Sequence, residues 1–163
     1  MSGIRIKLNS IVDEAIIDAL YRASEAGVPI QLVIRGICVL KPGIAGLSEN
    51  IVVRSILGRY LEHSRVFSFA NGGDPQVYIG SADMMHRNLD RRIEALVRLS
   101  SIEHIRQIDR IFDLAMAEDT SSWQLDAEGT WVRHHVGADG VPLRDMQNVM
   151  MRRISQRKRG GLR

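Results

Sequence analysis

Two side chains suited to phosphate chemistry stand beside apolar runs in this sequence. His63 occurs in Leu-Glu-His-Ser-Arg at 61–65, and Arg35 follows an apolar run that ends at Ile34. An imidazole can attack phosphorus or move a proton, and a guanidinium matches phosphate oxygens with its planar fork of donors. The ends of strands are where α/β folds present such groups. The pair therefore favours phosphate chemistry at the strand ends.

Each of these two residues also has an ordinary structural interpretation. A single His before a strand is more often a packing or surface residue, so composition alone leaves His63 open. Arg35 is harder to dismiss, because a charge buried at a strand end is costly without a partner. An ion pair is the alternative to a phosphate ligand, and the candidate partners are Glu62, Asp83 and Glu94.

The other residues with metal-binding or nucleophilic chemistry form no recognisable site. Four further histidines, at 86, 104, 134 and 135, lack companions at metal-ligand spacing, so the sequence predicts no metal site in this chain. The single Cys38 lies in an apolar run, which excludes a disulfide framework. The Gly-rich segment 41–47 lacks the Gly-Lys-Ser/Thr ending of a P-loop.

The composition describes one compact, Arg-rich domain. A chain of 163 residues with 45% hydrophobic content can bury a core as a single domain. Of the 22 basic residues 19 are Arg, a bias that fits a phosphorylated ligand and that high-GC codon usage explains equally well. The net charge of +3 is too small for a diffuse nucleic-acid binder. No apolar run resembles a signal peptide or membrane span, which predicts an intracellular protein.

Apolar periodicity predicts alternating strands and helices, and therefore a layered α/β domain. The predicted strands lie at 4–8, 28–34, 51–57, 66–69, 76–79, 92–99, 123–125 and 130–134. Residues 36–50 are predicted to form a loop long enough to be functional, and 152–163 a basic, frayed tail.

Three helices are predicted between and after these strands. Ser10 with Asp13 resembles a capping box, and apolar residues then recur at helical spacing until Gly27. Ser100 with Glu103 forms a second capping box before another apolar stripe. A terminal helix is predicted near 143–154.

A series of sequence blocks, in order, resembles the C-terminal catalytic domain of type 1 polyphosphate kinases. The longest are Ile-Arg-Gly-Ile-Cys at 34–38, Gly-Arg-Tyr-Leu-Glu-His-Ser-Arg at 58–65, Ser-Ala-Asp-Met-Met at 81–85 and Arg-Asn-Leu-Asp-Arg-Arg at 87–92. The resemblance covers essentially the whole chain. One departure is Met85, where the family usually has Trp, and it puts a stacking role at that position in doubt.

The resemblance implies a fold and an activity. The fold would be a phospholipase-D-like α/β sandwich, a mixed sheet flanked by helices, with residues 1–163 as a single domain. The family reversibly transfers the terminal phosphate of ATP to polyphosphate through a phosphohistidine. Arg35 would contact nucleotide phosphates, and His63 would be a second active-site His that assists proton transfer or stabilises charge. The phosphorylated His and the Mg²⁺ ligands would lie in preceding catalytic domains, so this chain would be inactive alone.

Further expectations concern the partners of this chain. Five more arginines surround His63 in sequence and would line a polyphosphate path: Arg59, Arg65, Arg87, Arg91 and Arg92. The resemblance implies a homo-oligomeric full enzyme that binds ATP or ADP and polyphosphate. It implies no specific nucleic acid and a cytoplasmic location, with membrane association of the full enzyme as an alternative.

Two other functions stay open at this point. Short phospholipase-D-like phosphodiesterases and nucleases pair two copies of a His-x-Lys motif across a dimer, and here Arg65 takes the Lys place after His63. A non-catalytic polyanion-binding or assembly module is the third interpretation.

Overall fold

A single mixed sheet forms the centre of the molecule. The computed structural model describes the backbone of residues 3–160 and the side chains of residues 3–156. Within that part of the chain, the sheet contains, in spatial order, β6 (Leu96–Arg98), β5 (Gln76–Gly80), β4 (Arg65–Phe69), β1 (Ile4–Leu8), β2 (Ile30–Ile34), β3 (Ile51–Ser55), β7 (Ser122–Leu125) and β8 (Trp131–His134). β1, β2 and β3 run parallel, and the remaining neighbours are antiparallel. This architecture confirms the predicted mixed sheet.

Helices complete the layers. They are α1 (Glu14–Glu25), the single-turn α2 (His86–Leu89), α3 (Ile102–Met116) and α4 (Met146–Gly160). One core packs Ile17 and Leu20 of α1 against the sheet, and a second core contains Phe112 of α3 and Met146 of α4. Helices α1 and α3 therefore bury their apolar stripes in the two cores, as a layered domain requires.

The central strand β2 explains why both cores can form. Leu32 and Ile34 contribute to the first core, whereas Val33 contributes to the second. A strand covered on both faces needs apolar residues at successive positions, which is the pattern that the sequence shows. Arg35 follows immediately, so its predicted position at the end of a buried strand is confirmed.

Both capping boxes were wrong. Asp13 itself is the N-cap of α1 and accepts a hydrogen bond from the Ile16 N–H at 3.0 Å. The chain between Ser10 and Asp13 is extended, because Ile11 forms bridges to Cys38 and Met84. At α3 the N-cap is Ser101, and it makes no side-chain capping bond.

The hairpins at 65–80 and 122–134 and the loop at 36–50 are confirmed. The strand predicted at 92–99 is shorter, because only 96–98 pair with β5. Helix α4 continues through Gly160 and includes the first part of the predicted tail, while residues 161–163 lie outside the described residues. No helix in the described part of the chain has both the length and the apolar character needed to cross a membrane.

Leu32→Ala tests the two-sided packing of β2. Leu32 is 0% exposed, so the cavity left by its side chain should lower the free energy of unfolding by about 2–5 kcal/mol. The same substitution at Leu96, which is 58% exposed on the edge strand β6, should cost about 0.5 kcal/mol or less. Urea denaturation of the three proteins measures the difference. Equal losses for the two variants would contradict this assignment of the core.

Candidate functional site

Sheet topology brings four connecting segments to one edge of the sheet. The parallel strands β1 and β2 end there at Leu8 and Ile34. β4 begins at the same edge, because it runs antiparallel to β1 with Lys7 opposite Val66. β5 ends there as well, because Arg65 is paired with Gly80. The segments that follow β1, β2, β3 and β5 therefore surround one place, which we term the site edge.

A buried ion pair lies at the centre of the site edge. Asp83 is only 2% exposed and accepts hydrogen bonds from Nε and Nη2 of Arg65 at 3.2 and 2.7 Å. It also accepts from the backbone N–H groups of Asn9 and Ser10 at 2.7 and 3.1 Å. Burial acts to raise the pKa of Asp83, but these four bonds outweigh burial and hold that pKa below its usual range.

The third nitrogen of this guanidinium holds His63. Nη1 of Arg65 donates to the His63 carbonyl at 2.7 Å and also to its ring Nδ1. Because an arginine N–H can only donate, Nδ1 must accept, and the proton of the neutral imidazole then lies on Nε2. The ring itself is exposed. The site thus presents an Nε2–H donor whose opposite nitrogen is held by a buried cation.

Lys7 holds the residues on either side of His63. It is 4% exposed, and its Nζ contacts Glu62 Oε2 at 3.2 Å and the Ser64 carbonyl at 3.5 Å. Burial lowers the pKa of Lys7, and the charges of Arg35 and Arg65 lower it further, whereas Glu62 opposes the shift. Three cationic side chains, of Lys7, Arg35 and Arg65, therefore lie close together with two carboxylates, Glu62 on Lys7 and Asp83 on Arg65.

Arg35 has no carboxylate partner within the described residues. Its Nη2 donates to the side-chain oxygen of Asn9, and its Nε is buried without a hydrogen bond. The three candidate carboxylates are engaged elsewhere: Glu62 by Lys7, Asp83 by Arg65 and Glu94 by Ser81 and Asn88. The ion-pair alternative for Arg35 is therefore wrong. Arg35, Lys7 and Glu62 line the same small cavity.

The arginines predicted to form a polyphosphate path fall into two groups. Four are exposed on segments that leave the site edge: Arg59, Arg87, Arg91 and Arg92. Arg65 differs, because it is buried and committed to Asp83 and His63. A contact between any of the five and polyphosphate stays a prediction.

Sequence reasoning missed several residues of the site. Lys7 had a usable signal: in Ile-Arg-Ile-Lys-Leu it alternates with core residues, so it faces the other covered side of the sheet. Asn9 and Glu62 carried no comparable pattern. Gln147, in the first turn of α4, also reaches the site edge, and sequence reasoning did not single it out.

The acidic residues of the site edge do not suit a magnesium ion. No group of three or more His, Cys, Asp or Glu side chains in the described part of the chain could hold a metal ion. Glu62 and Asp83 are each neutralised by a cation of the chain itself. These residues therefore do not fit the Mg²⁺ expected for the full enzyme.

Comparison with known proteins gives consistent matches. The family model described as polyphosphate kinase C-terminal domain 2 matches residues 1–147. A polyphosphate kinase of Streptomyces coelicolor is 58% identical over 158 residues, which cover 97% of this chain and 21% of the relative. The chain thus spans about a fifth of the length of the curated relatives it matches.

Solved structures extend the comparison to the fold. The crystal structure of polyphosphate kinase from Porphyromonas gingivalis matches with a TM-score of 0.88 and 36% identity, covering 98% of this chain and 24% of that chain. Nuc from Salmonella typhimurium, a phospholipase D family member, matches with a TM-score of 0.55 and 18% identity, covering 82% of this chain and 83% of that chain. The phospholipase-D-like α/β fold is confirmed.

Asp83→Asn tests the ion pair. It leaves Arg65 buried without its counter-charge, so the free energy of unfolding at pH 7 should fall by about 3–5 kcal/mol. Because folding lowers the pKa of Asp83, the wild-type advantage is complete above the unfolded pKa of about 3.9 and is lost as the pH falls through the folded pKa. Urea denaturation across this acidic range measures both effects.

The matched control removes a carboxylate that has no ion-pair partner among the described residues. Glu128 is exposed in the β7–β8 turn, and Glu128→Gln should change stability by about 0.5 kcal/mol or less at any pH. Asp83→Asn protein as stable as the wild type at pH 7 would show that Arg65 does not need this carboxylate.

Proposed function

The chain belongs to the polyphosphate kinase family, in which it corresponds to C-terminal domain 2, and on that basis we propose that it supplies the phosphate-binding half of a polyphosphate kinase active site. The reaction is reversible transfer of the terminal phosphate of ATP to the end of a polyphosphate chain. The chain covers about a fifth of its relatives. The proposal assigns the remaining catalytic groups to preceding domains, with this chain inactive alone.

The observation that carries the proposal is the unpaired guanidinium of Arg35 beside Lys7. Among the described residues Arg35 has no carboxylate partner, and its buried Nε has no hydrogen bond, so its positive charge is not neutralised. The positive charges of Arg35 and Arg65 already disfavour the charged form of Lys7. An anionic ligand would relieve this repulsion, and phosphate oxygens match the planar fork of arginine donors.

His63 supports phosphoryl transfer from the other side of the site. With Nδ1 accepting from Arg65, its Nε2–H can donate to a phosphate oxygen where charge develops in the transition state. In this role His63 stabilises charge and orients the phosphate. Phosphoryl transfer depends mainly on such positioning and electrostatic stabilisation.

The covalent steps belong to the histidine of a preceding domain. Its ring nitrogen forms a bond to the terminal phosphorus of ATP while the bond to the ADP oxygen breaks. A terminal oxygen of polyphosphate then attacks that phosphorus, the P–N bond breaks, and the histidine recovers its electron pair. Mg²⁺ would neutralise phosphate charge in the full enzyme, held by residues outside this chain. A homo-oligomeric assembly and a cytoplasmic location are further parts of the proposal.

The phosphodiesterase alternative has weaker support. It rests on a fold shared with Nuc at 18% identity, and a shared fold at this identity is not evidence of a shared activity. The residue in place of the motif Lys is Arg65, and it is buried against Asp83 instead of being free for a phosphate. The kinase role therefore accounts for more of the site than the phosphodiesterase role does.

Arg35→Gln tests phosphate binding by the chain itself. Loss of one charge-assisted contact should weaken binding of ATP and of polyphosphate about 10- to 150-fold, because such bonds contribute about 1.5–3 kcal/mol. Titration calorimetry at two salt concentrations should also show a shallower salt dependence for the variant, since fewer counterions are released. Arg133→Gln, at the far edge of the sheet, is the control and should bind as the wild type does. Unchanged affinity for Arg35→Gln would remove Arg35 from the site.

His63→Ala in the complete kinase tests the catalytic role. Phosphate transfer from ATP to polyphosphate should become undetectable, while the free energy of unfolding stays within about 0.5 kcal/mol of the wild type, because the ring is exposed. His104→Ala, an exposed histidine on α3, is the matched control. Near-normal transfer by His63→Ala would refute the role given to this side chain.

A further inference from the structure

The segment that carries His63 has little structure of its own. Residues 56–64 contain neither helix nor strand. Their apolar side chains are largely outside the core, with Leu57 59% exposed and Leu61 72% exposed. Ile56 is the exception, being 5% exposed and part of the second core. The rest of the segment is not positioned by burial, and exposed backbone of this kind opens at low free energy. The position of His63 must therefore depend on a few specific contacts.

Gln147 provides the contacts in the middle of the segment. Its Oε1 accepts from the Tyr60 N–H at 2.8 Å, and its Nε2 donates to the Tyr60 carbonyl at 2.8 Å. Nε2 also contacts Glu62 Oε1 at 3.3 Å. Gln147 is 5% exposed and lies in the first turn of α4, whose Met146 is part of the second core. The packed first turn of α4 thus pairs both backbone groups of Tyr60.

These bonds connect α4 to the cationic centre of the site. Glu62 contacts Gln147 with one carboxylate oxygen and Lys7 with the other. Lys7 also contacts the Ser64 carbonyl, and Arg65 binds His63. The segment is therefore held at Tyr60 by Gln147 and at its far end by Lys7 and Arg65. Without Gln147, only Lys7 and Arg65 at the far end would hold the segment.

Gly58 makes room for this amide. A Cβ at position 58 would lie 2.5 Å from Oε1 and 2.7 Å from Cδ of Gln147. The amide is the end of a flexible side chain, so a methyl group at this position would displace it and break its bonds to Tyr60. The backbone of Gly58 does not have a positive φ, so its conformation does not require glycine. The atoms that a Cβ would meet belong to the Gln147 amide.

We propose that Gln147 is a positioning residue for His63, acting through Tyr60 and Glu62 from the start of α4. The proposal rests on the function proposed above for the importance of His63, but the contact itself does not depend on any ligand. α4 thereby becomes part of the catalytic architecture, because the packing of its first turn in the second core sets the orientation of the exposed His63 ring.

Gln147→Met is the direct test, because it keeps the length of the side chain and removes all three polar contacts. In the 163-residue chain, side-chain ¹⁵N NMR should show the His63 ring changing from one tautomer, with the proton on Nε2, to a mixture. Hydrogen exchange of the Tyr60 amide should accelerate at least about tenfold. Gln156→Met, on the exposed surface of the same helix, is the control and should change neither signal.

Gly58→Ala is the second variant, and it leaves Gln147 in place. It should produce the same change at His63 and Tyr60 while the core packing of α4 stays intact. In the complete kinase, both variants should lower kcat at least about tenfold with a much smaller change in KM, because a small misplacement of a catalytic group mainly affects the chemical step. Gln147→Glu can still accept from the Tyr60 N–H but should lose both contacts of Nε2 at neutral pH, because its carboxylate cannot donate and repels Glu62.

The two levels of the proposal fail separately. A His63 ring signal and a Tyr60 exchange rate that are unchanged in both variants would overturn the positioning role, whatever the activity of the kinase. Changed NMR signals with full kinase activity would support the contact and overturn its catalytic importance. If His63→Ala itself leaves transfer intact, the catalytic role proposed for His63 fails, while the NMR result still decides whether Gln147 holds the segment.

Discussion

The buried pair of Asp83 and Arg65 is the interaction on which the site depends. Asp83 joins the segment after β5 to the start of β4 and to the backbone that follows β1, so three chain segments meet at one carboxylate. Taking both charges out of water is costly, and the geometry repays that cost only because the carboxylate receives four hydrogen bonds. The pair also leaves Nη1 of Arg65 free to hold His63.

The site edge carries an excess positive charge, because each of its two carboxylates is already paired with a cation. Asp83 neutralises Arg65 and Glu62 neutralises Lys7, which leaves Arg35 with only the neutral amide of Asn9. A fold that needed only stability would pair such a cation or place it in water. Three cations converging on two committed carboxylates form a site that favours an anion. The same arrangement explains why the carboxylates are poor ligands for Mg²⁺.

Much of the fold and part of the site follow from local pattern. The double-sided burial of β2 was predictable from its continuous apolar run, and so was Arg35 at its end. The cap of α1 was not, because Ser10 and Asp13 have equivalent local chemistry, and a bridge from Ile11 to Met84 decided between them. Lys7 was within reach of a pattern argument. Gln147 was not, because a polar residue at the start of a helix normally faces water.

The order of the elements and the place of Arg35 at a strand end follow from local periodicity and turn chemistry, which involve a few neighbouring residues. The family, and with it the role expected of His63, follows from the resemblance of ordered sequence blocks. Which charges pair depends on the tertiary structure. Arg65 meets Asp83 across 18 residues and Tyr60 meets Gln147 across 87, because strand order and register bring them together. Those contacts depend on the packing of the whole sheet, so no local pattern encodes them.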